Sequence, residues 1–248
     1  MKAQIIDGVL HAEYDIVSTD VNKHKMLRTS RMFSIFEELA GDHCNMVGLG
    51  TDRTRDRGIV WVLASEQVWI NRLPRYEEHV VLKTWPSKTR MGFFPRHYRI
   101  ETADGDILVE SVSMWGLINY ETRELINPDD YDIVVEPVEI EGEKKMKGGP
   151  KPIDFTATDH FKVPFSYIDI NGHLNNARYF DIIDDTLPAA ASGLAPSFIN
   201  ARYGTEALEG ADLAISWGND GTNYYASIDE GSNNHFKIRI DYATEGQT

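Results

Sequence analysis

Asp169, Asn171 and His173 stand at alternate positions in the run Ser166-Tyr-Ile-Asp-Ile-Asn-Gly-His-Leu-Asn-Asn-Ala-Arg-Tyr-Phe-Asp181. A carboxylate, an amide and an imidazole at this spacing can polarise a carbonyl, relay a proton and activate water. In extended backbone, alternate side chains point to one side, so the three are expected to line one wall. Gly172 permits a turn or a close ligand approach. Asn175 or Asn176 can cap the helical run that follows. The free N–H groups and positive dipole end of that helix would stabilise an oxyanion on a thioester or ester carbonyl. The same residue types also serve as plain turn and cap residues, so spacing alone leaves both readings open.

Other chemistries fail on spacing. As a calcium loop starting at Asp169, the segment has Leu174 where glycine is required and Phe180 where glutamate is required. The chain has no His-Glu-x-x-His zinc motif, no Walker loop and no Gly-x-Ser-x-Gly elbow. Its single cysteine, Cys44, excludes an intrachain disulfide and a multi-cysteine metal site. Cys44 falls on the apolar face of a helical run and is expected to pack in the core.

The elements that must hold the constellation come in two similar series. Leu27, Met32, Phe33, Phe36, Ala40, Cys44 and Val47 recur at three- and four-residue steps, and Gly48 and Gly50 end the pattern. A strand-like run at 11–17 precedes this helix, and runs at 59–70, 80–85, 93–102 and 107–120 follow it. Asp104-Gly105 marks a hairpin between the last two. After a Glu/Lys/Gly/Pro-rich stretch at 136–153, the order repeats. A strand-like run at 161–167 is followed by a helix at 177–187, then strand-like runs at 198–208, 213–217, 224–228 and 235–242. Asp20, Asn22 and His24 echo the spacing of Asp169, Asn171 and His173, which suggests a duplicated chain with the upstream copy structural. One helix plus an antiparallel meander, twice over, predicts an α+β class. The expected division is a domain at 1–135, a linker at 136–153 and a second domain at 154–248.

Composition narrows the partners. The chain has 248 residues, 42% of them hydrophobic, and a formal net charge of −14. A chain so acidic is a poor general binder of nucleic acid. No apolar stretch reaches membrane-spanning length, and the first residues do not read as a signal peptide, so membrane insertion is not expected and a cytoplasmic location is. Basic clusters at Lys23/Lys25/Arg28/Arg31, Arg53/Arg55/Arg57 and Lys144/Lys145/Lys147/Lys151 are solvated faces or docking points for an acidic carrier or a phosphate-bearing ligand.

The segment Asp169-Ile-Asn171-Gly-His173-Leu-Asn175-Asn176-Ala-Arg-Tyr179 resembles the signature of hotdog-fold thioesterases. Further stretches agree with the acyl-acyl carrier protein thioesterases of bacteria and plant plastids: Trp61-Val62-Leu63, Ile70-Asn71-Arg72-Leu73-Pro74-Arg75, Thr84-Trp85-Pro86, and Trp115 with Glu121-Thr122-Arg123. The resemblance runs from about residue 10 to about residue 242. It implies two tandem hotdog domains, each a long helix wrapped by an antiparallel sheet, with the chemistry in the second. It implies Asp169, Asn171 and His173 as catalytic residues, joined by a glutamate on a later strand, for which Glu206 fits and Glu209 competes. Plant members carry a cysteine after that glutamate; Ala207 stands here, which favours water attack over a thiol nucleophile and leaves an anhydride through Asp169 open.

The implied reaction is hydrolysis of fatty acyl-acyl carrier protein, with no metal or organic cofactor. The implied partner is acyl carrier protein bearing a phosphopantetheine-linked chain, met by Arg28 and Arg31. The implied acyl pocket lies in the first half, with Met32, Phe33, Phe36, Trp61, Leu63, Val68 and Trp115 as lining. An acyl-CoA thioesterase, a hotdog hydratase and a non-catalytic acyl-binding module are the alternatives, and the chain is expected to be a monomer or homodimer.

Overall fold

The computed structural model describes residues 2–131, 133–221 and 223–243. Its strands are β1 (Ala3–Ile6), β2 (Val9–Asp15), β3 (Ile59–Ile70), β4 (His79–Pro86), β5 (Phe94–Thr102), β6 (Ile107–Asn119), β7 (Ala157–Lys162), β8 (Pro196–Tyr203), β9 (Asp212–Asn219), β10 (Asn223–Glu230) and β11 (Asn233–Tyr242). They form one antiparallel sheet in the order β1-β2-β4-β5-β6-β3-β8-β11-β10-β9-β7. The helices are α1 (Thr29–Met46), the short α2 (Thr51–Arg55), α3 (Arg178–Thr186) and the single turn α4 (Pro188–Ala191). The class is α+β, and each half supplies one principal helix.

The halves meet at β3 and β8, where Gln67 pairs with Asn200 and Val68 with Ile199. They also share a core. Phe33 of α1 stacks on Phe180 of α3 with ring centroids 3.6 Å apart, a contact that adds roughly 0.5–1.5 kcal/mol beyond the buried area. Phe33→Ala would remove that stack and leave a cavity, at about 3–5 kcal/mol. The helical spacing of α1 buries Met32, Phe33, Ile35, Phe36 and Leu39, and Gly48 ends the run at φ +79, in the left-handed region that favours glycine.

Several elements differ from the sequence expectation, the short helices α2 and α4 among them. β1 was not anticipated. It pairs with β2 through the two-residue turn Asp7-Gly8, where both residues have positive φ; four residues with exposed Ile5 and Ile6 give no clear alternation to read. The strand expected at 161–167 lies at Ala157–Lys162, and Phe165–Tyr167 form a 3₁₀ turn after Pro164, which has no N–H for a ladder. The strand expected to reach residue 208 stops at Tyr203.

The stretch at 136–153 has no strand or helix, yet it packs on the sheet. The side chain of Gln67 donates to the carbonyls of Lys147 and Gly148 at 2.6 and 2.7 Å and accepts from the Lys147 amide at 3.0 Å. Asn200 donates to Gly148 at 3.3 Å. The connection therefore satisfies two buried amides across the β3–β8 seam, where an unpaired one would carry its full desolvation cost.

Candidate functional site

The Asp169–His173 segment is a closed turn, not the extended wall its alternation predicts. Ile168 and Leu174 bridge it. Asp169 N–H donates to the His173 carbonyl at 2.9 Å, and Gly172 N–H to the Asp169 carbonyl at 3.0 Å. The Asp169 carboxylate accepts from the amides of Asn171 at 2.8 Å and His173 at 3.4 Å. Gly172 takes φ +86, which the turn requires and glycine gives freely. Asp169 thus organises the loop in the manner of an Asx turn.

A single backbone hydrogen bond then brings two titratable side chains together. Leu174 N–H donates to the Ala207 carbonyl at 2.8 Å, so the preceding residues, His173 and Glu206, fall side by side. His173 Nε2 lies 3.3 Å from Glu206 Oε2. Glu206 sits in the loop after β8, not on the strand. Only glycine fits at position 204, where a Cβ would lie 2.1 Å from the Asn234 carbonyl. Buried His235 fixes the next link, with Nδ1 2.7 Å from the Thr205 carbonyl. Glu209, the competing carboxylate, lies in the following turn and forms no ion pair among the described residues.

The first half contributes to this site in two ways that motif spacing did not reveal. Arg123, from the loop after β6, pairs with Glu206 Oε1. Glu37, on α1, accepts a hydrogen bond from Asn176 Nδ2 at 3.0 Å. Burial pushes the Glu37 carboxyl up to about 7, against the hydrogen bonds from Asn176 and Asn175 that favour its charged form. The only advance signal for Arg123 is its place in the Glu121-Thr122-Arg123 stretch; Glu37 gave none, being one of two adjacent acids on a helix.

The helix terminus is less free than expected. Asn175 Oδ1 accepts from the Ala177 amide at 3.0 Å, and its carbonyl from the Arg178 amide at 2.9 Å. These amides are capped rather than open to an oxyanion. The side-chain amide of Asn171, in the exposed part of the turn, makes only a long hydrogen bond, donating to Asp169 Oδ2 at 3.5 Å.

A cavity of about 430 Å³ begins at Asp169, Asn171, Asn175 and Asn176 and runs beside α1 into the first half. Trp61 and Trp115 line it as expected, with Phe94, Val47, Leu49 and Val135. Met32, Phe33, Phe36, Leu63 and Val68 do not; they are buried in packing instead. Cys44, expected in the core, is half-buried in the cavity wall.

The upstream echo is real in backbone but displaced in register. Val21 and Leu27 bridge. Asn22 N–H donates to the Met26 carbonyl at 2.9 Å, and Lys25 N–H to the Asn22 carbonyl at 2.9 Å. Asn22 Oδ1 accepts from His24 at 2.9 Å and Met26 at 3.2 Å. Leu27 N–H donates to the Pro74 carbonyl at 2.8 Å. Asn22, not Asp20, therefore corresponds to Asp169, and Met26 and Leu73 stand where His173 and Glu206 stand. Asp20 is buried and structural, accepting from Tyr14 Oη, the Val17 amide and Arg31 Nε, each at 2.9 Å.

Among the described residues no group of three or more His, Cys, Asp or Glu side chains is arranged to hold a metal ion. Among the same residues no helix is long and apolar enough to cross a membrane.

One continuous antiparallel sheet carrying two principal helices, with an imidazole–carboxylate pair at a turn that lines a largely apolar cavity through Asp169 and Asn171, is the class that fold and site define. The acyl-ACP thioesterase N-terminal domain matches residues 8–134 and the C-terminal domain residues 151–247; the chain belongs to the acyl-ACP thioesterase family. It is 28% identical over 199 residues to a chloroplastic acyl-[acyl-carrier-protein] hydrolase of Cuphea viscosissima, covering 73% of this chain and 48% of that protein. The chain thus spans about half the length of the curated relatives it matches. Its fold is similar to the 12:0-ACP thioesterase from Umbellularia californica (TM-score 0.83, 19% identity, 97% of this chain and 99% of that one). It is also similar to an acyl-ACP thioesterase from Bacteroides thetaiotaomicron (TM-score 0.81, 20% identity, 95% and 98%).

Proposed function

We propose that the chain is a tandem hotdog thioesterase that hydrolyses fatty acyl thioesters of acyl carrier protein, with the second half carrying the chemistry. The observation that carries this reading is the His173–Glu206 pair, 3.3 Å apart, in which His173 belongs to the turn whose Asp169 and Asn171 line the cavity. The acyl chain enters that cavity, and the thioester carbonyl rests beside Asn171. Glu206 and His173 take a proton from water as its oxygen bonds to the carbonyl carbon. The resulting oxyanion is stabilised by the Asn171 amide. Collapse breaks the carbon–sulfur bond, and the proton passes through His173 to the departing sulfur. The products are the free fatty acid and the carrier thiol. Asp169 holds the turn in shape, and Glu37 anchors Asn175 and Asn176 from the other half.

The carrier, an acidic partner, needs free cations near the mouth. Arg31 is a poor choice, since Asp20 and Glu38 engage it at 2.9 and 2.6 Å. Arg28 reaches back to the Thr19 carbonyl. Arg53 and Arg55 on α2 form no ion pair among the described residues, and α2 begins at Thr51, a cavity-wall residue. Arg55 lies over Tyr120, three residues before Arg123. The proposed docking face is therefore the α2 side, in a cytoplasmic setting.

The test is turnover of one saturated acyl chain presented on carrier protein and on CoA, read as free thiol released. Faster release from the carrier is expected and should weaken with salt and with Arg53→Ala/Arg55→Ala. A clear CoA preference would move the assignment to acyl-CoA hydrolysis. Tight binding with no thiol from either would make it a binding module.

A further inference from the structure

The cavity is not uniformly apolar. Trp61 and Phe94, at 5.0 Å in an edge-on contact, form one wall, while His43, Cys44 and Arg96 stand among the others. Arg96 is 7% exposed, and its guanidinium partners are all uncharged. It meets His43 Nδ1 at 3.0 Å, donates to Thr84 Oγ1 at 3.3 Å and donates to Cys44 Sγ at 3.5 Å. Burial and the neighbouring guanidinium push His43 down to about 4, which keeps it neutral as an acceptor. No carboxylate of the described residues lies within 4.0 Å of Arg96 in an ion pair.

A buried cation without a counter-charge is costly unless something polar completes its shell. Water can do so while the cavity is empty of ligand. An unsubstituted alkyl chain filling the same space would displace that water and return nothing. An oxygen on the chain would replace it with a charge-assisted hydrogen bond.

We propose that the cavity takes acyl chains bearing an oxygen well down their length, as a hydroxyl, oxo or terminal carboxylate group, and that Arg96 receives that oxygen. This rests on the thioesterase reading and names its substrate class. The position follows from α1. Glu37 meets the catalytic turn through Asn176, and His43 meets Arg96 six residues further along the same helix. At 1.5 Å per residue that is about 9 Å, so an oxygen next to the thioester falls short and a distal one arrives.

The experiment compares carrier-bound acyl chains of matched length, unsubstituted or ending in a hydroxyl or carboxylate, on wild type, Arg96→Met and Arg96→Lys. Wild type is expected to favour the oxygenated chains by about tenfold in kcat/KM at the matching length. Arg96→Met should lose that preference and Arg96→Lys keep part of it. Equal handling of both chain types by wild type overturns the proposal, as does a preference that survives in a folded Arg96→Met protein. Hydrolysis without an oxygen preference leaves the thioesterase reading intact. If no chain is hydrolysed, thermal shift with the corresponding free acids reads the cavity directly. Stabilisation by the oxygenated acid alone supports the Arg96 site while the hydrolytic reading falls, and equal shifts sink the proposal as well.

Discussion

In the turn between Val21 and Leu27, Asn22 holds two backbone amides; in the turn between Ile168 and Leu174, Asp169 does the same. Lys25 and Gly172 both take positive φ at the same place in the two turns. Each turn is followed by a residue that donates to a carbonyl beyond its half's seam strand, Pro74 in one case and Ala207 in the other. The same sequence offset that relates Pro74 to Ala207 relates Gln67 to Asn200, which pair directly across the β3–β8 junction. The difference is therefore in side chains. Met26 and Leu73 are buried in the core, whereas His173 and Glu206 keep 23% and 39% of their side chains exposed. The first turn packs under the other half, with His24 against Gly193. A titratable pair buried there would pay for desolvation with no substrate to meet, and apolar residues remove that cost.

The sharpest way to break the comparison is to write the first turn's residues into the second. His173→Met and Glu206→Leu should each lower thioester hydrolysis by about 10²–10⁴-fold. The melting temperature should hold, because the first half already accommodates those residues on the same backbone. Thiol release and thermal melts check both parts. Variants that keep turnover within about tenfold of wild type would remove the pair from the mechanism.

Asp169→Asn asks a finer question, because Asn22 is that variant already made. An amide oxygen organises the first turn as well as a carboxylate organises the second. If Asp169 only shapes the loop, Asp169→Asn should cost less than about tenfold in kcat, the range of a retained geometry. If its carboxylate is a nucleophile forming an anhydride, the loss should reach several orders of magnitude. The expected result is the small loss, measured by single-turnover kinetics.

This contrast also marks what the sequence could disclose. The long strands at 59–70 and 107–119 were legible because they are long and bounded by turn residues, and α1 because its apolar period is sustained. The Asp169/Asn171/His173 cluster was legible as residue types, and Glu206 only through family resemblance. The turn's shape was not legible, because alternation looks the same in an extended strand and in an Asx turn. The echo was aligned by residue identity, two positions away from the backbone correspondence, because hydrogen bonding and not side-chain type survived there. Arg123 and Glu37 reach the site across the junction of the halves, and no local pattern encodes that.

The last test probes the junction itself, through stability rather than turnover. By the offset that matches Gln67 to Asn200, Glu66 on β3 corresponds to Ile199 on β8. Both are buried, but one carries a carboxyl. Burial pushes Glu66 up to about 8, with the charge of Glu37 adding to the rise and the 2.6 Å hydrogen bond from Ser111 opposing it. Between the ordinary value of 4.5 and about 8, the folded chain holds this proton and the unfolded chain has released it. The unfolded state then binds fewer protons, so stability falls as pH rises through that window and levels off above it. Glu37 and Asp184, each pushed up to about 7 by burial, act in the same direction, so wild type alone would not isolate Glu66. Glu66→Gln does, because an amide keeps an acceptor for Ser111 and cannot ionise. Urea midpoints should show the variant gaining on wild type between about pH 5 and about pH 9. A constant difference across that range would mean that Glu66 is charged and paired in the folded protein, and that the two seam strands differ in electrostatics far less than their burial implies.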